Sequence, residues 1–222
     1  MRRNNRDFEA VKINLLFNNG ECFRSFAPNV AIGILKNLLS DKNPEVRMRA
    51  LEKMRDYSGR RVVSALKYSL RHDGNQLVKI AAIEGMRGLQ RGGFAPELQV
   101  AMSDKTPMVR GYAAIALGEL SGWTALSYIS KALSSERSTW ARAALRIAAY
   151  IAGADSDLRE ILLLLKSRQY RVRSFVVNNL ESLCSRENRQ IIRLALQRQL
   201  KIESSKAVRS SIKRVLKAMR GL

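Results

Sequence analysis

The sequence predicts an all-α fold: a right-handed α-α superhelix of about six helical hairpins with an N-terminal capping helix. Three observations carry that expectation. An apolar–basic pair recurs at Val46-Arg47, Val78-Lys79, Val109-Arg110, Ala141-Arg142, Val172-Arg173 and Val208-Arg209, in steps of 32, 31, 32, 31 and 36 residues. Four residues after each anchor stand Ala50, Ala82, Ala113, Leu145, Val176 and Ile212, and eight after it Met54, Met86, Leu117, Ala149, Leu180 and Leu216. Spacings of 0, 4 and 8 place these side chains on one helical face, and a period near 31 signals a solenoid. Third, the apolar content is 46% but aromatics are only 6%. Helices packed through small and aliphatic residues suit that composition, and no strand pattern interrupts it.

The elements follow in order. Asp7 to Phe17 reads as one amphipathic helix stopped by Asn18-Asn19-Gly20. Phe8, Leu16, Phe17, Phe23 and Phe26 are expected to cover the open end of the stack, because solenoids need caps. Residues 1–28 are thus a capping segment and 29–222 a single repeat domain. First helices of the hairpins are expected near Val30–Leu39, Arg61–Leu70, Pro96–Met102, Thr124–Leu133, Leu158–Lys166 and Gln190–Gln199. Asn43-Pro44 and Thr106-Pro107 read as an N-cap followed by proline at the first helical position. Asp157 with Glu160 has capping-box spacing. All four prolines fall in loops or at helix starts, where a missing N–H costs little.

An acid recurs five residues before the anchor, at Asp41, Asp73, Asp104, Glu136 and Glu203; only Ser167 breaks the series. Loop acid, Val-Arg and an Ala-rich helix together, as in Asp104-Lys-Thr-Pro-Met-Val-Arg-Gly-Tyr-Ala-Ala, resemble the HEAT-like repeats named after phycobilisome lyases. The resemblance covers residues 29 to 220. It implies a HEAT-like solenoid whose second helices line a concave face, and scaffold, adaptor or, less often, enzymatic roles.

Composition excludes several classes. The longest runs without a charge, Leu120 to Ser130 among them, fall far short of the ~20 residues of a membrane span. The N-terminus is not followed by a secretory apolar segment. Cys22 and Cys184 are no disulfide framework and read as reduced thiols of a cytoplasmic protein. With His72 as the only histidine, no zinc site of usual composition is expected. No metal, cofactor or catalytic cluster is expected either.

The charge is the functional clue. There are 40 Lys+Arg against 19 Asp+Glu, a net +21. The repeated Arg47, Arg110, Arg142 and Arg209 are expected to be structural, directed at loop acids or carbonyls. The remaining excess gathers at the two ends. Asp41 to Asp73 holds nine basic and five acidic residues, and Arg186 to Leu222 eleven and two. Gly92 to Glu136 is nearly neutral. Such an imbalance suits an acidic protein or a nucleic-acid backbone as partner. On the second helices, Arg49, Arg55, Arg87, Tyr112, Arg214 and Lys217 occupy solvent- or groove-facing positions, and Trp140 is a further candidate contact; Tyr150 is expected in the core. The expected function is a non-catalytic binding module.

An enzyme is the alternative. Ser138-Thr-Trp-Ala-Arg-Ala-Ala resembles a motif of the HEAT-like alkylpurine DNA glycosylases. That family uses a carboxylate in the preceding repeat helix, whereas Gly122-Trp-Thr-Ala-Leu-Ser-Tyr-Ile-Ser holds none. A bilin lyase is the other option the family name implies. A membrane-associated adaptor would use Arg2, Arg3, Arg6 and the phenylalanines of residues 1–26.

Overall fold

The computed structural model describes residues 2–18, 20–89 and 93–219, with side chains from residue 9 onwards. All regular structure among them is helical. The chain forms two compact units, 1–120 and 121–222.

The first unit begins with α1 (Arg2–Phe17) and a 3₁₀ turn at Glu21–Ser25. Three hairpins follow: α2 (Pro28–Leu38) with α3 (Pro44–Met54), α4 (Arg60–His72) with α5 (Gln76–Leu89), and α6 (Ala95–Ala101) with α7 (Pro107–Ser121). The second unit holds α8 (Leu126–Ser135) with α9 (Thr139–Ile151), α10 (Asp157–Leu163) with α11 (Tyr170–Leu180), and α12 (Arg189–Ile202) with α13 (Lys206–Ala218). Each anchor lies in the second helix of its hairpin. Within the first unit α3 packs on α5, and within the second α11 packs on both α9 and α13. The residues at spacings 0, 4 and 8 form these seams. All are buried except Leu216, which is half-buried.

Local chemistry explains the helix starts. Asn43 caps α3 by accepting from Glu45 N–H at 2.9 Å, ahead of Pro44. Ser138 and Ser205 cap α9 and α13 by accepting from Ala141 and Val208. The expected capping box at Asp157 is not formed. Ser156 occupies the N-cap position, and Asp157 lies inside α10 and accepts from Arg146 at 2.6 Å. A guanidinium on the neighbouring helix competes better for this carboxylate than backbone amides do.

The N-terminal segment packs on α3 with a partly different set of residues from the one expected. Leu15 and Phe23 are buried, Leu16 and Phe26 half-buried, and Phe17 is 78% exposed. The Phe8 side chain lies outside the described residues. The helical period decides which apolar residues meet α3: Leu15 lies one turn from Val11, and Phe17 points to the opposite side. α1 stacks on α3 as a second helix would. Its Lys12 reaches Asp41, Nζ to Oδ2 2.6 Å, so it starts the ladder described next.

The recurring acids do two jobs. Each accepts a hydrogen bond from the backbone N–H two residues on: Asp41 from Asn43, Asp73 from Asn75 and Asp104 from Thr106 at 2.8 Å, Glu136 from Ser138 at 2.8 Å, and Glu203 from Ser205 at 2.9 Å. Most also receive a cation from the preceding second helix. Arg47 holds Asp73 through two bonds of 2.7 and 2.9 Å, Lys79 reaches Asp104 at 2.6 Å, and Arg173 holds Glu203 through bonds of 2.8 and 2.6 Å. The same arginines fold back on their own loops. Arg47, Arg110, Arg142, Arg173 and Arg209 donate to the carbonyls of Asp41, Asp104, Glu136, Ser167 and Glu203. These guanidinium groups are therefore structural.

Ser167 leaves one rung open. Its Oγ still accepts from Gln169 N–H, at 3.3 Å, but it offers no charge to Arg142. Among the described residues Arg142 has only its carbonyl bond to Glu136 and is exposed. Residues 142 and 167 are 25 positions apart, the same register as Lys79 and Asp104. Ser167→Asp is expected to stabilise the protein by about 0.5–1 kcal/mol, a rise of roughly 1–4 °C in Tm at this chain length. Arg142→Ala should abolish that gain, and a gain that survives in Arg142→Ala would disprove the missing rung.

Candidate functional site

The first unit carries a groove of about 950 Å³ along the outer face of α4. Its origin is a mismatch of helix lengths. α4 has 13 residues, whereas α6, its neighbour in the next hairpin, has seven. The start of α4 therefore extends past α6. Arg60, Ser64, Lys67, Tyr68, Arg71 and His72 line the groove from this face, recurring every three or four residues as one helical stripe. Gly59, at φ 111°, makes the turn that starts α4 at the mouth of the groove. That conformation is strained for any residue with a Cβ.

The charge of the groove is one-sided. Arg55, Arg60, Lys67 and Arg71 line it; its one acidic lining residue, Asp56, pairs with Lys53 at 2.7 Å. Lys67 and Arg71 share one oxygen of the buried Glu97, at 3.1 and 2.9 Å. The other oxygen of Glu97 is buried without a hydrogen-bond partner. Among the described residues Arg55 and Arg60 form no ion pair, and both are exposed. Arg55 lies over Gly88, where a Cβ would stand 3.5 Å from its Nε. Aromatic rings lie between the cations. Tyr68, 65% exposed, is tilted against His72 with centroids 4.7 Å apart, Lys67 sits 5.7 Å from the Phe94 ring, and Tyr57 adds a third face. Of these rings Tyr68 and His72 are exposed, Tyr57 is half-buried and Phe94 is buried beneath Lys67; cations beside exposed rings form a surface for carboxylates and flat groups.

The residues expected from the sequence are placed as follows. Arg55 belongs to this groove. Arg49 is half-buried and pairs with Glu52 at 3.0 Å. Arg87 is held by Glu84 at 2.7 Å and by both oxygens of Glu119 at 2.6 Å. Burial alone would lower its pKa, but these carboxylates raise it, so its charge is already neutralised within the fold. Arg214 pairs with Glu181 at 2.7 Å and donates to Asn178. Lys217 is exposed at the end of α13. Tyr112 is half-buried, and burial pushes its hydroxyl pKa up, with Glu84 adding to the effect. Trp140 is half-buried against Phe175, with centroids 4.5 Å apart. Tyr150 is half-buried and its hydroxyl accepts from Asn188 at 2.7 Å.

Sequence reasoning missed Arg60, Lys67, Tyr68 and Arg71. The signal was present in their spacing on α4 and in the short run between Gly93 and Pro96 and the next anchor. The expectation weighs the second helices, whereas these residues stand on a first helix.

The family is decided by comparison with known proteins. A HEAT-repeat family model matches residues 8–87 and 63–149, more than half of the chain. The chain is a HEAT-repeat protein. Its match begins within α1, in keeping with the packing of α1 on α3. Comparison with curated proteins finds no match. Among solved structures, the HEAT protein is similar to a chain of the complex of CpcE and CpcF of phycocyanin lyase from Nostoc sp. PCC7120. The TM-score is 0.50 at 14% identity, covering 88% of this chain and 95% of that one. The likeness shows a shared all-α repeat fold.

No group of three metal-ligating side chains occurs among the described residues, and no described helix is long and apolar enough to cross a membrane. Cys22 and Cys184 are half-buried and unbridged. In the glycosylase-like stretch, Ser138 caps α9, Trp140 stacks on Phe175 and Arg142 bonds a loop carbonyl.

Proposed function

We propose that this HEAT-repeat protein is a non-catalytic binding module whose α4 groove takes an acidic segment of a partner protein. The observation that carries the reading is the four cations of the groove, set among Tyr57, Tyr68, His72 and Phe94, with one acid in the lining. Repeat scaffolds present extended surfaces of this kind. The similar chain named above comes from a complex of two proteins, which agrees with a protein partner. Binding relies on Arg55 and Arg60, which form no ion pair among the described residues; Lys67 and Arg71 share the one carboxylate of Glu97 and together add the net charge of a single cation. The aromatic rings supply apolar contact. Arg49 and Tyr112, in the same unit, are further candidate contacts; Lys217 and Trp140 are candidates within the other unit. Arg87 and Arg214 contribute less, since both are engaged by carboxylates of their own unit.

A fluorescent peptide alternating glutamate with tyrosine tests this directly by anisotropy. Wild type is expected to bind with an affinity that falls steeply with salt. Arg55→Glu with Arg60→Glu should weaken it at least about tenfold, or about 1.4 kcal/mol, with unchanged helical circular dichroism. Single-stranded oligonucleotides run in parallel decide between partner classes. Retention of the oligonucleotide but not the peptide would transfer the groove to a nucleic-acid backbone. Binding of neither would remove the reading.

A further inference from the structure

A second groove, in the other unit, has opposite character. It lies between the outer helices α10 and α12, with a volume of about 650 Å³. Leu158, Leu162 and Leu163 line one wall, and Ile191, Leu194 and Ala195 the other. Leu163, Ile191 and Leu194 are 51, 56 and 41% exposed, so a folded chain leaves this apolar strip in water. Isolated exposed leucines need no explanation, but six aliphatic residues converging on one concavity do.

The groove is the protein's own candidate for helix docking. We infer that it receives an amphipathic helix of a partner protein, with an apolar stripe in the groove and acidic residues along its flanks. Charge complementarity selects the flanks. Arg159 and Arg198 stand on the rim and, among the described residues, form no ion pair. α12 carries Arg189, Arg193, Arg198 and Lys201 and no acid. The nearby Glu160 is drawn to Arg146 at 3.6 Å, which leaves Asp155 as the one acidic lining residue.

The walls select a helix over other segments. Both are helices with their backbone bonds satisfied internally, so no sheet edge is available for strand addition. No aromatic residue lines the groove, as proline-rich segments require. Apolar side chains in rows three and four apart instead match the ridges of a facing helix. The lining of α12 runs from Ile191 to Arg198, roughly 12 Å of helix, enough to meet about two turns of a partner. The inference is independent of the α4 groove, which lies in the other unit and is lined by four cations.

The test uses the full chain and a fluorescent peptide of about 16 residues, roughly 24 Å as a helix. The peptide carries leucines at i, i+3, i+4 and i+7 and glutamates beside them. Anisotropy should show binding and circular dichroism a gain of helix on mixing. Leu163→Ser with Leu194→Ser should weaken binding at least about tenfold, and so should Arg159→Glu with Arg198→Glu. Both pairs are exposed, and unchanged thermal unfolding of the variants confirms an intact fold. A scrambled peptide of equal composition should fail to bind. Equal binding of the scrambled peptide, or full affinity in the leucine variant, would overturn the inference. So would no binding at all, or a face that captures phosphatidylserine vesicles but not the peptide.

Discussion

Arg173→Leu is expected to destabilise the second unit by about 3–5 kcal/mol, the usual cost of leaving one member of a buried ion pair without its partner. Glu203 is buried and accepts two bonds from Arg173, one from Gln199 at 3.0 Å and one from Ser205 N–H. The Arg173 bonds, opposed by burial, hold the Glu203 carboxyl at about 2, against an ordinary 4.5. A depressed carboxylate stabilises the fold fully above its unfolded pKa and loses that contribution as pH falls through the folded one. The window is therefore pH 4.5 down to about 2. In Arg173→Leu only burial and the two weaker donors remain, so acid should no longer erode stability over this window. Tryptophan fluorescence reads the transition locally, because Trp140 stacks on Phe175 of the same helix as Arg173. Adding Glu203→Gln, which removes the buried charge but keeps an acceptor for Ser205, should restore most of the loss. A cost below about 1 kcal/mol, the range of surface pairs, would mean that the ladder is ornamental.

Met86→Ala is expected to cost the first unit about 2–5 kcal/mol, the range for a fully buried aliphatic truncation. Met86 is fully buried on α5, eight residues after its anchor. Its helix packs against α3 on one side and α4 on the other. The equivalent residue in the fourth repeat is Ala149, so alanine is acceptable to the repeat pattern but not to this seam. Met86→Leu keeps the volume and should cost less than about 1.5 kcal/mol. Urea unfolding followed by circular dichroism measures both. Equal effects of alanine and leucine would show that shape, and not the lost volume, limits the site.

The hairpins were legible because burial repeats with the helix: Val78, Ala82 and Met86 describe one face without any knowledge of neighbours. The structural arginines were legible for a similar reason, since acid and base recur at constant offsets. The pairing of the cations and the α4 groove were not. Whether Arg87 or Arg214 is available depends on Glu119 and Glu181, about one repeat away, and the expectation weighed each cation by its position on its own helix. The α4 groove depends on the brevity of α6, a property of its neighbour. The capping role given to Asp157 failed likewise, because a pattern of four residues says nothing of Arg146 eleven positions earlier.

The open rung at Ser167 also bears on where the protein opens. In a linear array, stability is close to a sum of repeat and nearest-neighbour terms. A seam that lacks one charge-assisted contact is then a natural boundary between cooperative units of exchange. Backbone amides at the start of α11 should exchange with deuterium sooner than those at the start of α13, where Glu203 holds both Ser205 N–H and Arg173. Under pulling force or proteolysis, the second unit would part first between α9 and α11. A single serine in place of an acid thus sets the order in which this half of the chain comes undone.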